Sequence, residues 1–302
     1  MLWARDPAQA SALQVSRLNE RYLPEVPLPG ALAVTDDARD ALGGAALALV
    51  ATPVSGLRDT LALLHRNAPG VPAVWLCKGF EKDAARLPHE VAEAVLPAAT
   101  PRGALSGPSF ALEVARGLPC ALTLASRDAA FARDAAAQLH GGRLRVYYSE
   151  DLAGVEVGGA VKNVMAIAVG ICDGLGLGQN ARAALITRGL AEVARLGVAL
   201  GGSLETMMGL AGAGDLILTA TGDLSRNRRV GLALARGETL ESILAGLGHV
   251  AEGVRTVREV VRLARERGVA MPISEAVLEV VEGRCTAPAA AERLMSRDPR
   301  AE

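Results

Sequence analysis

A lysine and an asparagine stand inside an apolar run, Glu156-Val-Gly-Gly-Ala-Val-Lys162-Asn163-Val-Met. Helical side chains lean toward the helix N-terminus, so on a helix Lys162 lies over Gly158 and Gly159. Each glycine costs a helix about 1 kcal/mol relative to alanine, and the pair leaves room for a small molecule against the backbone. An amine in such surroundings loses hydration, its pKa falls, and it can pass a proton near neutral pH. The same pattern also suits two glycines that pack helices closely and a lysine that snorkels outward. Lysine is scarce: only Lys78, Lys82 and Lys162 stand among 32 basic residues. Arginine cannot readily release its proton and lysine can, so a retained lysine marks either a place where arginine fails or chance.

Three further clusters carry polar chemistry. Val74-Trp-Leu-Cys-Lys78-Gly79-Phe80-Glu81 ends a strand in a lysine and a glycine. Ligands of open α/β sheets sit beyond the carboxyl ends of strands, which suits Lys78 to an anion or leaves it a solvated loop residue. In Leu105-Ser106-Gly107-Pro108-Ser109-Phe110-Ala111, Pro108 fits the first turn of a helix. Gly107 and Ser109 would then offer donors to phosphate at a positive helix end, or merely cap it. Leu210-Ala-Gly-Ala-Gly214-Asp215-Leu216, followed by Leu224-Ser225-Arg226-Asn227-Arg228-Arg229, combines an acceptor with a planar fork of donors. Arg226 matches phosphate oxygens, and Ser225 and Asn227 add neutral donors. The alternative is a charged loop. In His249-Val250-Ala251-Glu252-Gly253, Glu252 alone reads as an N-terminal helix acid.

Positioning such groups requires a scaffold, and the first half alternates short apolar runs with amphipathic stretches. Ala31–Thr35, Ala45–Ala51, Val71–Cys77, Gly103–Ser106 and Cys120–Ala125 read as strands. Pro7–Glu20, Ser55–Arg66, Leu87–Leu96, Pro108–Arg116 and Asp128–His140 read as helices. Ala45–Ala51 is apolar throughout, like a strand buried on both faces. The alternation specifies an α/β domain with a doubly wound, Rossmann-like sheet. Leu144–Ser149 reads as its last strand. Beyond it apolar residues recur at helical spacing in Val155–Ile171, Ala181–Leu200, Leu210–Ala220, Val230–Arg236, Val254–Arg267 and Ser274–Val281. The expected organisation is therefore a dinucleotide-binding domain over 1–149 and an all-helical substrate domain over 150–302, with a surface helix from Thr286 that frays after Ser296.

A dinucleotide sheet normally opens with strand, Gly-x-Gly-x-x-Gly and helix. That motif occurs nowhere in the 302 residues. The opening Met-Leu-Trp-Ala-Arg-Asp-Pro reads as the end of a second strand, so the reading is of an N-terminally truncated domain lacking on the order of 30 residues. It carries the expectation of poor folding and weak cofactor binding.

A formal net charge of −1 and 3% aromatic residues argue against a nucleic-acid partner. Cys77, Cys120, Cys172 and Cys285 are scattered without Cys-x-x-Cys spacing, so neither a disulfide framework nor a zinc site is expected. The start has no signal-peptide pattern. The run Val164–Cys172 is too short to cross a bilayer. A cytoplasmic protein without membrane insertion is the reading.

In order and at fitting spacings, WARDP, NERYLPEV, ATP, CKGFE, SGPSFA, GGAVKNV, ARAALITRGLAE, GLAGAGDLILT, SRNRRVG and VAEG resemble the bacterial NAD(P)-dependent glycerol-3-phosphate dehydrogenases. The resemblance spans about residues 2 to 283. It implies interconversion of sn-glycerol 3-phosphate and dihydroxyacetone phosphate for phospholipid synthesis, by a dinucleotide domain and a helical domain. By position it makes Lys162 the proton donor and acceptor, and Lys78 a contact of both cofactor and substrate. Gly107, Ser109, Asp215, Ser225, Arg226 and Asn227 become substrate contacts. Arg5, Tyr22, Ala111, Arg226, Val250 and Glu252 become contacts of NAD(P)H. Arg5 suits a 2′-phosphate and favours NADPH. The resemblance implies no metal, a small phosphorylated substrate, and allows a homodimer. Alternative readings are a related two-domain reductase of a hydroxy acid or sugar acid, and an inactive remnant.

Overall fold

The structure is a computed structural model and describes residues 1–247 and 251–298. The chain packs as two compact units. The first is Met1–Cys77, His89–Leu105 and Ser109–Glu150; the second is Lys78–Pro88, Ser106–Pro108 and Asp151–Glu302. Where the sequence suggested one boundary near 149, two short excursions, 78–88 and 106–108, group with the helical unit.

The elements of the first half run β1 (Leu2–Trp3), α1 (Pro7–Ser16), β2 (Leu18–Asn19), β3 (Leu23–Pro27), β4 (Val34–Thr35), α2 (Ala38–Leu42), β5 (Ala48–Val50), α3 (Leu57–Asn67), β6 (Ala73–Trp75), α4 (Pro88–Val95), β7 (Arg102–Ser106), α5 (Ala111–Ala115), β8 (Cys120–Ala125), α6 (Ala129–Leu139) and β9 (Leu144–Ser149). They form a five-stranded sheet ordered β5-β6-β7-β8-β9 and a separate parallel pair β1–β4. The pairs β5–β6, β6–β7 and β8–β9 are parallel. Ala132, Ala135 and Ala136 of α6 bury against Leu122, Leu124 and Val146, since small side chains let a helix approach a sheet closely.

Several expectations need correction. Helix α1 stops at Ser16 because Arg17 adopts the left-handed conformation (φ 56°), and the chain then forms the antiparallel pair β2–β3 in place of a helix to Glu20. Strand β5 is an edge strand of its ladder and Leu49 is 49% exposed, so the buried-on-both-faces pattern belongs to β6, whose three residues are all buried.

The second unit holds α7 (Leu152–Gly174), α8 (Gly178–Ala199), α9 (Leu204–Met208), α10 (Asp215–Thr221), α11 (Arg226–Ala235), α12 (Leu240–Leu247), α13 (Glu252–Glu266), α14 (Pro272–Val281) and α15 (Ala287–Met295). Its described residues from Asp151 on contain no strand. Asp151 caps α7 through the Gly154 N–H at 2.8 Å. Helix α7 is the axis of the unit, with α8, α10, α11, α13 and α14 packed around it. At 23 residues it is long and apolar enough to span a bilayer, contrary to the short run expected, and its apolar window is buried within the unit throughout. That burial is the setting of a core helix. Close approach of α11 depends on two facing glycines. A Cβ on Gly170 would lie 2.1 Å from the Arg228 carbonyl, and one on Gly231 would lie 2.1 Å from that of Ile167.

Candidate active site

Lys162 sits midway along α7 with a side chain 9% exposed. Its Nζ donates to Asp215 Oδ1 at 2.7 Å and to Thr219 Oγ1 at 2.7 Å. Lys78 Nζ approaches the other carboxylate oxygen, Oδ2 of Asp215, at 2.5 Å and donates to the Gly107 carbonyl at 3.4 Å. One buried carboxylate is thus clamped between two ammonium groups. Burial lowers the Lys162 pKa to about 8, with help from the like charge of Lys78 and against the pull of Asp215. Burial alone would raise the Asp215 carboxyl, but the charges of Lys78 and Lys162 outweigh it and hold it below its ordinary value. Asp215 is therefore held ionised, and the lowered pKa of Lys162 suits that amine to proton exchange at a pH of about 8.

Local sequence explains how these groups meet. Gly79 (φ 116°) and Gly107 (φ 141°) turn the chain where a side chain would be strained, and bring Lys78 and the Gly107 carbonyl into the helical unit. Residues Leu210–Gly214 form one π-helical turn before α10, where a continuous helix from Leu210 was expected. Such turns recur at functional sites, and this one leads directly into Asp215. The turn rests on α7 because Gly158 has no side chain: a Cβ there would lie 2.6 Å from the Ala211 carbonyl. A Cβ on Gly159 would meet Ser106 Oγ at 3.0 Å and the Lys78 stem at 3.4 Å. The glycine pair thus seats protein groups, not the small molecule that the sequence left room for.

A second polar chain adjoins the clamp. Gly253 N–H donates to Asn227 Oδ1 (3.0 Å), Asn227 Nδ2 to Asn163 Oδ1 (2.9 Å), and Asn163 Nδ2 to Glu252 Oε2 (3.3 Å). Burial raises the Glu252 pKa against the opposing charges of Lys78, Lys162 and Arg226. Arg226 opens α11 and is exposed; Ser225 caps that helix by accepting the Arg228 N–H at 3.2 Å. Ser225 and Asn227 were expected to add neutral donors. The Asn227 amide nitrogen donates to Asn163, while Ser225 Oγ accepts the Arg228 N–H, which leaves the Ser225 hydroxyl hydrogen, the helix N-terminus and the Arg226 fork suited to an anion.

The structure therefore brings Lys78, Gly107, Lys162, Asp215, Asn227 and Glu252 into one helical unit, with Ser225 and Arg226 on the adjoining turn. Ser109, Ala111, Arg5 and Tyr22 belong to the first unit. Helix α5 begins only at Ala111, with Phe110 at its cap, so Pro108 is not in a first helical turn; Ser109 stands immediately before the cap and Gly107 three residues ahead of it. Arg5 is exposed just past the carboxyl end of β1, and Tyr22 is exposed beside Arg21. Val250 lies outside the described residues. Thr219 and Ser106 were given no role by the sequence, and Asn163 was singled out beside Lys162 without one. A threonine four residues after Asp215 shares its helix face, a signal that the spacing carried. Ser106 Oγ is buried without a hydrogen-bond partner among the described residues, and an orphaned buried hydroxyl beside Lys78 fits a polar ligand that supplies the missing bond. Among the described residues no cluster of His, Cys, Asp and Glu fits a metal ion.

The N-terminal family model of NAD-dependent glycerol-3-phosphate dehydrogenase matches residues 1–132, and the C-terminal model matches 151–292. The chain belongs to this dehydrogenase family. The glycerol-3-phosphate dehydrogenase [NAD(P)+] of Nitrosospira multiformis is 57% identical over the whole chain and 90% of its own length. That of Dechloromonas aromatica is 60% identical, over all of this chain and 92% of the relative. The crystal structure of the Coxiella burnetii glycerol-3-phosphate dehydrogenase superposes with a TM-score of 0.92 at 39% identity, covering 98% of this chain and 91% of that one. The family's N-terminal model matches from residue 1, and these relatives align along the whole of this chain and 90–92% of their own length. The fold is the family's pair of a Rossmann-like domain and a helical domain.

Proposed function

We propose that the chain interconverts dihydroxyacetone phosphate and sn-glycerol 3-phosphate, with Lys162 as the proton-handling group. Bound NAD(P)H supplies the hydride of the reduction. The ammonium of Lys162 gives its proton to the oxygen of the reduced carbonyl and stabilises the negative charge as it forms. Asp215 holds that amine in place and remains ionised. Lys78 adds a second positive charge to the same pocket. The Arg226 guanidinium and the N-terminus of α11 hold the phosphate and fix the carbonyl in one orientation. In the oxidative direction neutral Lys162 takes the hydroxyl proton. Arg5, exposed beyond β1, suits the 2′-phosphate of NADPH, with Tyr22, Ala111 and Val250 as further cofactor contacts and Ser109 as a substrate contact.

The observation that carries this reading is the clamp: a buried amine of lowered pKa, 2.7 Å from a carboxylate that a second amine holds ionised. The test is steady-state oxidation of NADPH by dihydroxyacetone phosphate. Lys162→Ala is expected to lower kcat by roughly 10²–10⁴-fold, the range of a lost general acid. Arg226→Ala is expected to act chiefly on KM for the phosphorylated ketone. Undiminished turnover in Lys162→Ala, or no NADPH oxidation by the unaltered chain, would overturn the assignment.

A further inference from the structure

The hydrogen bonds around Asn163 run in one direction, and a backbone group sets that direction. Gly253 N–H can only donate, so Asn227 must present Oδ1 to it and Nδ2 to Asn163. Asn163 must then present Oδ1 to Asn227, which leaves its Nδ2 facing Glu252. Both amides are buried: Asn163 is 3% and Asn227 7% exposed. No rotation of either amide satisfies all the partners in another way. Asn163 thereby ties three helices together. It is the neighbour of Lys162 on α7, it binds Asn227 next to Arg226 on α11, and it binds Glu252 at the start of α13. Packing reinforces the junction, because a Cβ on Gly253 would lie 2.6 Å from the Asn163 carbonyl.

We infer that Asn163 is a positioning residue, which fixes Glu252 relative to Arg226 and Asn227 and so couples the phosphate-holding end of the site to Glu252, which the family resemblance makes a contact of the cofactor. This inference rests on the proposed dehydrogenase reading. Its consequence is that ligand affinity at both ends depends on the polarity of the Asn163–Glu252 contact, not only on the volume filled there. The charged groups acting on Glu252 are Lys78 from the loop after β6, Lys162 from α7 and Arg226 from α11.

Swapping the polarity of that contact tests the inference. Asn163→Asp places a carboxylate against a carboxylate. It is expected to raise KM for both dihydroxyacetone phosphate and NADPH at least tenfold. The increase should grow with pH as the pair loses its shared proton. In Asn163→Asp/Glu252→Gln the amide of residue 252 donates to the new carboxylate, and most of the tenfold loss should be regained. Asn163→Ala removes the contact without adding charge; it should raise both KM values with no new pH dependence, and it serves as the second reading if Asn163→Asp folds poorly. The inference is overturned if Asn163→Ala leaves both KM values unchanged. It is likewise overturned if the double variant is no better than Asn163→Asp, or if the variants lose thermal stability with the same KM values and pH profile. Turnover by the unaltered chain is the control: its absence would defeat the dehydrogenase reading, whereas NADPH titration monitored by cofactor fluorescence still reports whether Asn163 tunes affinity.

Discussion

The proton inventory at one amine decides the pH behaviour of the site. In the proposed mechanism Lys162 is protonated to drive reduction and neutral to drive oxidation. With its pKa lowered to about 8 by burial and Lys78, kcat/KM for reduction should fall as pH rises through about 8, and kcat/KM for oxidation should fall as pH drops below it. The two neighbours act in opposite senses. Asp215 favours the charged amine, so Asp215→Asn should move the alkaline limb of reduction to lower pH. Lys78 disfavours it, so Lys78→Met should move the same limb to higher pH. Both variants lose activity because both residues line the site, but the position of the limb is read from residual kcat/KM at saturating cofactor. Shifts in the same direction, or no shift, would mean that the titrating group is not Lys162.

At the scale of elements, the helical unit depends on where side chains are missing. Replacing a mid-helix glycine with alanine favours the helix by about 1 kcal/mol. At Gly231 that gain meets a backbone carbonyl 2.1 Å from the new Cβ, and overpacking against an atom that cannot rotate away costs about 1–3 kcal/mol. Gly231→Ala should therefore lower the urea midpoint with an unchanged m-value. Gly246→Ala on α12, where a Cβ meets nothing within 4 Å, should leave the midpoint unchanged or raise it. Equal effects at the two positions would refute the packing argument. These contrasts also show what the sequence could reveal. Periodicity exposed α7, α8, α13 and α14, and the lone lysines flagged Lys78 and Lys162, because those signals are local. It did not reveal that Gly158 seats the Ala211 carbonyl, that Leu210–Gly214 form a π-turn, or that Pro108 lies outside a helix. Each of those depends on a partner distant in the chain. The helices α2 and α9 escaped for a different reason: five residues give too few turns for a periodic pattern.

For the whole molecule, the two units are not two stretches of sequence. Phe80, Ala85 and Leu87, which precede most of the sheet in the chain, are buried in the core built by α7, α8, α11, α13 and α14. Arg262 on α13 donates to the Asp83 carbonyl at 3.0 Å, and Glu259 accepts the Asp83 N–H at 3.3 Å. The same loop carries Lys78, so the helical core and the site depend on one excursion from the first half of the chain. A fragment cut at the apparent boundary, residues 150–302, loses that loop. Burial of Phe80 and Leu87 contributes roughly 1.5–3 kcal/mol each, which is a large part of the roughly 5–15 kcal/mol that holds an ordinary domain together. The fragment should accordingly unfold at a lower urea concentration than the helical unit does within the intact chain, followed by far-ultraviolet circular dichroism. Phe80→Ala in the intact chain should reproduce part of that loss and also weaken turnover, because Lys78 is anchored by the same loop. A fragment as stable as the helical unit of the intact chain would show that the excursion is carried by the helical core without contributing to it.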